Sequence, residues 1–151
     1  MNLKNKLFKN KSKGFTLIEL LVVISIIGIL LGLSVFSMQG SKKSGRDAKR
    51  KSDLELIRSG IEIYRADCGE YPTSLGTTLI GDGSTDSCLT DNEYINNVPE
   101  DSQDPIRTYK YSSDGITYKI CCSLENDTGA SVTCGGNSNC GETCNYRVEN
   151  P

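Results

Sequence analysis

Between Leu20 and Phe36 the chain is apolar throughout except for Ser25, Gly28, Gly32 and Ser34, and Phe15 to Ile18 extend the run toward the N-terminus. A helix rises ~1.5 Å per residue, so about 20 such residues cross the hydrocarbon of a bilayer. One carboxylate, Glu19, stands where this run begins. An ionised side chain inside hydrocarbon costs roughly 2.5–3.5 kcal/mol or more, so a residue kept there has a partner. The most economical partner is a new N-terminal amine, created by cutting the chain between Gly14 and Phe15. That amine would sit at the positive end of the helix macrodipole, where its charge is unwelcome. Glu19, one turn along, could neutralise its own amine or that of a neighbouring copy. A glutamate that only snorkels to the headgroups is the plainer alternative.

Lys4, Lys6, Lys9, Lys11 and Lys13 precede the run without any acid. A purely basic leader favours a cytoplasmic N-terminus with the rest of the chain translocated. An ordinary signal peptide has a core of about 7–15 apolar residues and then a small-x-small cleavage site. Here the core is longer, and the near match Gly32-Leu33-Ser34 lies inside it.

The stretch Lys13-Gly14-Phe15-Thr16-Leu17-Ile18-Glu19-Leu20-Leu21-Val22 resembles the class III leader junction of bacterial type IV pilins and type II secretion pseudopilins. The resemblance is tight over the N-terminus and holds in outline beyond it. It implies that a prepilin peptidase cuts after Gly14 and methylates Phe15, and that Glu19 serves assembly. Methylation keeps the amine charged, so the pairing with Glu19 survives it. The same resemblance implies copies of the chain and other pilins or pseudopilins as partners, with an inner-membrane assembly platform and its ATPase. Ser25, Gly28 and Gly32 form a small-residue stripe whose G-x-x-x-G spacing lets helices approach closely in lipid. Where the family often carries a proline, this chain has Phe36. Gly28, Gly32 and Gly40 could supply the missing softness, each costing about 1 kcal/mol of helix propensity.

Past the anchor, Leu54, Ile57, Ile61, Tyr64 and Cys68 recur at intervals of three and four, the apolar stripe of an amphipathic helix. Asp67-Cys68-Gly69 and then Pro72 supply a stop, with the helix expected to reach about Ala66. The segment 40–45, rich in Gly, Ser and Lys, is the expected bend or break. Residues 69–106 read as irregular. Arg107 to Ser113 and Ile116 to Cys122 flank Asp114-Gly115, a dipeptide favoured in two-residue hairpin turns. That turn would set Tyr111 opposite Tyr118, Tyr109 opposite Ile120 and Lys110 opposite Lys119. Tyr109, Tyr111, Ile116, Tyr118 and Ile120 would then share the face toward the helix. A last short strand is expected from Cys144 to Val148. Pro99 and Asp104-Pro105 before the hairpin resemble the lead into the sheet of secretion-type major pseudopilins, without the tryptophan-glycine that usually follows.

The expected fold is therefore α+β and lollipop-shaped, as in pilins. A long N-terminal helix is transmembrane in its first half and packs its second half on a small antiparallel sheet. Its segments are a leader over 1–14, a transmembrane and assembly helix over 15–38, an amphipathic helix over 39–68, and a loop and sheet region with a cysteine-rich end over 69–151. Once exported, the domain would stand outside the inner membrane, in a periplasmic or extracellular filament.

A domain this small has a thin core. Seven cysteines, Cys68, Cys88, Cys121, Cys122, Cys134, Cys140 and Cys144, suit an oxidising compartment where disulfides make up the shortfall. The number is odd, so at least one is free, reduced or bonded to another chain. Cys68 with Cys88 is the first expected bridge; the second joins Cys121 or Cys122 to Cys134, Cys140 or Cys144. Adjacent Cys121 and Cys122 face opposite sides of a strand. The chain has no histidine, and the spacing of Cys134, Cys140 and Cys144 is unlike a zinc site, so no metal is assigned. Oxygen ligands exist at Asp114, Glu125, Asn126 and Asp127, but their spacing matches no known calcium loop. Nothing here calls for a cofactor, and no constellation supports an enzyme.

Net charge is −2, and loss of the five leader lysines takes it to about −7, which does not support nucleic-acid binding. Lys42, Lys43, Arg46, Lys49, Arg50 and Lys51 could face anionic headgroups or acidic neighbours; the plainer reading is a solvated helix face near the membrane. Two functions follow from the resemblance: a type IV pilus-like filament subunit as the main reading, and a type II secretion pseudopilin as the alternative. The cysteine-rich tail, standing where major pseudopilins carry an acidic calcium loop, favours the former. A monomeric membrane-anchored binding domain would explain the anchor but neither Gly14-Phe15 nor Glu19.

Overall fold

Five residues at alternating three- and four-residue intervals, Leu54, Ile57, Ile61, Tyr64 and Cys68, are all at most 5% exposed. They form the inner face of α1, Leu17–Cys68. The computed structural model describes residues 14–127 and 129–150. Leader residues 1–13, with their five lysines, lie outside the described residues. Two compact units divide after Gly40. Within the first, every large apolar side chain named from Phe15 to Leu33 is roughly half exposed or more. Helical assignment continues through 40–45, where a break was expected, and ends at Cys68 rather than Ala66.

In the second unit α1 is followed by β1 (Leu79–Ile80), β2 (Glu93–Ile95), β3 (Lys110–Ser113), β4 (Tyr118–Cys122), β5 (Asn139–Cys140), β6 (Glu142–Thr143) and β7 (Tyr146–Glu149). The architecture is α+β, with a three-stranded antiparallel sheet in the order β3-β4-β7. Tyr118 and Ile120 from β4 and Val148 from β7 complete the core against the helix stripe, with Tyr109 and Tyr111 packed on it. Tyrosine suits this layer because its ring is buried while its hydroxyl finds a polar partner. Tyr109 donates to Asp53 at 2.8 Å, and Tyr118 and Tyr71 donate to the two oxygens of Glu62 at 2.9 and 3.0 Å.

Residues 69–106 are not wholly irregular, because β1 and β2 pair there. Ile95 of β2 packs against Gly60, and a Cβ at that position would collide with the Ile95 side chain. A mid-helix glycine costs about 1 kcal/mol in propensity, and here it lets a strand approach the helix.

The hairpin differs from the expected one. Asp114 accepts from the backbone N–H groups of Ile116 and Thr117 at 3.0 and 2.6 Å, while Gly115 takes φ +85°. This side-chain cap makes a four-residue loop, so Ser113 pairs with Tyr118 and Tyr111 with Ile120. The register has moved by two, and side chains alternate with period two, so the inward face is preserved. Ile116 is the exception, lying in the loop at 74% exposure. The Lys110–Lys119 pairing does not form: Lys110 faces Cys121, while Lys119 faces Ser112 on one side and Glu149 on the other. The final strand begins at Tyr146 rather than Cys144.

Candidate processing and assembly site

At the anchor's start, Gly14 and Phe15 are exposed and precede the first helical residue, Leu17. Thr16 is the N-cap. Its Oγ1 accepts from the Glu19 N–H at 3.3 Å, while Glu19 Oε2 accepts from the Thr16 N–H at 2.9 Å and from its hydroxyl at 2.8 Å. This reciprocal T-x-x-E arrangement is a capping box. Glu19 therefore has a partner within its own chain, a use its isolation among apolar residues did not reveal. The signal was present in the three-residue spacing from Thr16.

Farther along, Ser25, Gly28 and Gly32 are exposed, and nothing lies within 4 Å of a Cβ built on either glycine. Ser25 donates to the Leu21 carbonyl at 2.8 Å, which satisfies its hydroxyl without a second helix. The helix is long and apolar enough to cross a membrane.

In the second unit the supposed solvated basic face splits. Lys42, Lys43, Lys49 and Lys51 are exposed, whereas Arg50 is buried. Arg50 Nε and Nη2 donate to the two oxygens of Asp101 at 2.6 and 3.1 Å. Its Nη1 donates to Asp47 at 2.7 Å and Glu125 at 3.0 Å, and Nη2 also reaches Gln103 at 2.8 Å. Arg46 grips both Glu125 oxygens at 2.6 Å. Asp47 in turn accepts from the backbone N–H groups of Glu125 and Asn126, both at 2.9 Å. The cluster fixes two distant chain segments, 101–103 and 125–126, to one helix turn.

Electrostatics follow this geometry. The Arg46 fork, and after it Arg50, hold Glu125 down to about 2 against the opposing effect of burial. Burial works to raise Asp47, but the two backbone donors and Arg50 outweigh it and leave the carboxyl below its ordinary value. Arg50 is raised: burial opposes its charge, and Asp101, Glu125 and Asp47 more than compensate. Arg50 and Asp47 were legible after all, since 47, 50, 54, 57 and 61 continue the buried stripe's phase backwards.

These contacts also disperse the oxygen ligands considered for calcium. Asp114 caps the hairpin, and Glu125 is held by two arginines.

Cys68 is bonded to Cys88, Cys121 to Cys134, and Cys140 to Cys144. Cys122 is a buried free thiol, and burial pushes its pKa up to about 12. Adjacent on β4, Cys121 joins a small cluster with Cys134, Cys140, Cys144 and Val132, while Cys122 faces the main core. Cys68, Cys88 and Asp82 bring ligand-type atoms within 4.8 Å of one another, but the two sulfurs are bonded to each other.

Residues 9–35 match the prokaryotic N-terminal methylation motif, and residues 37–138 match the family described as type II secretion system (T2SS), protein G. Over 66 residues the chain is 38% identical to the type II secretion system core protein G of Aeromonas hydrophila, covering 44% of this chain and 46% of that protein. The Escherichia coli K12 protein of the same name is 38% identical over 65 residues, 43% and 45% of the two chains. The Vibrio cholerae protein is 34% identical over 64 residues, 42% and 44%. The chain thus spans about half the length of the curated relatives it matches, and no solved structure matches it. These matches reverse the order of the two functional readings: the secretion pseudopilin, not the surface pilus, is the better supported. The cysteine-rich tail did not discriminate between them. By its N-terminal junction and the domain that follows, the chain belongs to the pilin and pseudopilin family, and within it to the type II secretion system protein G family.

Proposed function

We propose that this chain is a structural, non-enzymatic pseudopilin subunit of a type II secretion system. Residues 15–38 anchor it in the inner membrane with the N-terminus cytoplasmic and residues 39–151 exported. A prepilin peptidase cuts after Gly14 and methylates Phe15. The processed chain then polymerises through its N-terminal helix with copies of itself and other pseudopilins, on a membrane platform driven by an assembly ATPase. One observation carries this reading: the Gly14-Phe15 junction and its Glu19 carboxylate head an exposed apolar helix that leads into a protein G domain.

Each part has a physical task. The leader lysines set orientation, the apolar helix packs in lipid through Ser25, Gly28 and Gly32, and Glu19 supplies a charge for a Phe15 amine. Deleting the gene should stop export of secreted proteins while leaving surface pili intact, and wild type but not Glu19→Ala should restore it. Normal secretion with lost surface fibres would return the protein to the pilus reading.

A further inference from the structure

Over residues 66–93 the chain carries six carboxylates and no lysine or arginine. These include Asp67 and Glu70 at the helix C-terminus, where the macrodipole is already negative and disfavours further negative charge. Asp86 and Asp91 flank Cys88, which is tied to the helix end by its bond to Cys68. Thr85 and Ser87 also donate to the Asp67 carbonyl at 2.7 and 2.8 Å, so the acidic loop is fastened to that end. Among these acids Ile80 and Leu89 are exposed, at 48% and 54%.

The opposite end of the same unit has the opposite character. Arg46 and Arg50 are consumed by internal carboxylates, which leaves Lys42 and Lys49 to face outward. Lys49 meets Asp53 one turn away, yet its side chain is still 56% exposed. Following the helix at the same phase brings Ser52, Leu56, Ser59 and Ile63, all exposed, with Leu56 at 49% and Ile63 at 57%. An outer helix stripe that is basic at its base and apolar higher up is the complement of an acidic loop studded with two aliphatic side chains. An apolar centre with charged groups around it is the usual anatomy of a protein interface.

The geometry points to a head-to-tail contact between copies, in which the loop bearing Ile80, Asp86, Leu89 and Asp91 docks on the Lys42–Lys49–Leu56–Ile63 stripe of the next copy. The two patches are different surfaces of one molecule, so the contact is heterologous and can propagate without closing, as a helical filament requires. It cannot form within one chain. Lys49 lies roughly 28 Å along the helix from Cys68, where the acidic loop is fastened. This inference rests on the reading that the chain polymerises.

The test uses the full chain in its own membrane. A zero-length carbodiimide should join Lys42 or Lys49 to Asp86 or Asp91 in wild-type filaments, and such a link must be between copies. Lys42→Glu with Lys49→Glu, or Asp86→Lys with Asp91→Lys, should each lower filament yield about tenfold or more, because like charges meet across the contact. The chain with all four reversals should recover assembly. Processing after Gly14 and the disulfide map should be unchanged in every variant. Absence of the cross-linked peptide from wild-type filaments, or normal assembly of either charge-reversed chain, would overturn the contact. So would failure of the four-fold reversal to recover, together with weaker binding of the lysine variant to anionic vesicles; the lysines would then be reading lipid. A wild-type chain that never polymerises sinks the subunit reading itself, and this interface with it.

Discussion

Arg50 and Asp101, 51 residues apart in sequence, meet through two hydrogen bonds with both side chains 1% exposed. A planar guanidinium suits this arrangement because its donors diverge in a fixed fork. A buried ion pair is poor evidence of net stability, yet removing one partner strands the others without compensation. Here the stranded group would be Asp101, since Glu125 keeps the Arg46 fork and Asp47 keeps its two backbone donors.

Arg50→Ala should therefore destabilise the outer domain by about 3–5 kcal/mol. Arg50→Lys should recover little, since an ammonium cannot serve the same directions. Urea unfolding of the detergent-solubilised chain, followed by near-UV tyrosine signal, measures both. Near-wild-type midpoints for Arg50→Lys would mean that charge alone suffices.

Acid should weaken the same cluster. Glu125 is depressed from 4.5 to about 2 in the folded chain, and Asp47 is also depressed. A carboxylate with a lowered folded pKa contributes stability above its unfolded value and loses it as pH falls through the folded one. Unfolding midpoints should hold at neutral pH and drop between about pH 4.5 and about 2. Glu125→Gln should flatten that limb; an unchanged acid profile would place the sensitivity elsewhere.

Glu19→Ala and Glu19→Gln separate two uses of one side chain. Glutamine can still accept from the Thr16 N–H, whereas alanine loses that cap contact. Neither can form an ion pair with a charged Phe15 amine. Both variants should be processed normally and both should fail to enter filaments. Full assembly of Glu19→Gln would leave the glutamate only a helix cap.

Mature protein should begin at N-methylated Phe15, which intact mass and the N-terminal peptide will read directly. A mature chain still carrying residues 1–14 would remove the main support for the assembly role of Glu19.

Reductant, not chelator, should unfold the outer domain. The Cys68–Cys88 bridge alone, closing about 20 residues, contributes roughly 3 kcal/mol in the chain-entropy model. A calcium site filled at 100 times its dissociation constant would add ~2.7 kcal/mol, a loss a melting curve would register. Melting temperature should fall by several degrees in reductant and stay level in excess chelator. Non-reduced native protein should resist alkylation, and denaturation should expose one thiol, Cys122. A calcium-reversible drop in chelator would contradict the arrangement in which Arg46 and Arg50 occupy Glu125.

Where the sequence carried a period, the structure could be read from it. Leu54 through Cys68 named the buried helix face, and the alternation of Tyr109, Tyr111, Tyr118 and Ile120 survived even a wrong turn length. The turn itself was misread because Asp114 acts through its side chain, which a dipeptide rule does not weigh. Strands as short as Leu79–Ile80 contain no period to detect. Arg50 was assigned to solvent by its charge although its phase placed it inside, because its three carboxylate partners come from the helix itself and from two distant loops. The capping role of Glu19 is carried only by its three-residue spacing from Thr16, a weaker signal than an acid at the edge of an apolar run.

On β4, Cys121 and Cys122 turn to opposite sides, and the side away from the helix is closed by Cys121–Cys134 and Cys140–Cys144 rather than by aliphatic bulk. Sulfur bonds of this kind form and persist in oxidising compartments and are rare in a reducing cytoplasm. The sheet's outer surface is thus completed by chemistry favoured on one side of the membrane. In the exported orientation proposed above, the compartment becomes a timer, holding the domain's final rigidity back until translocation has happened.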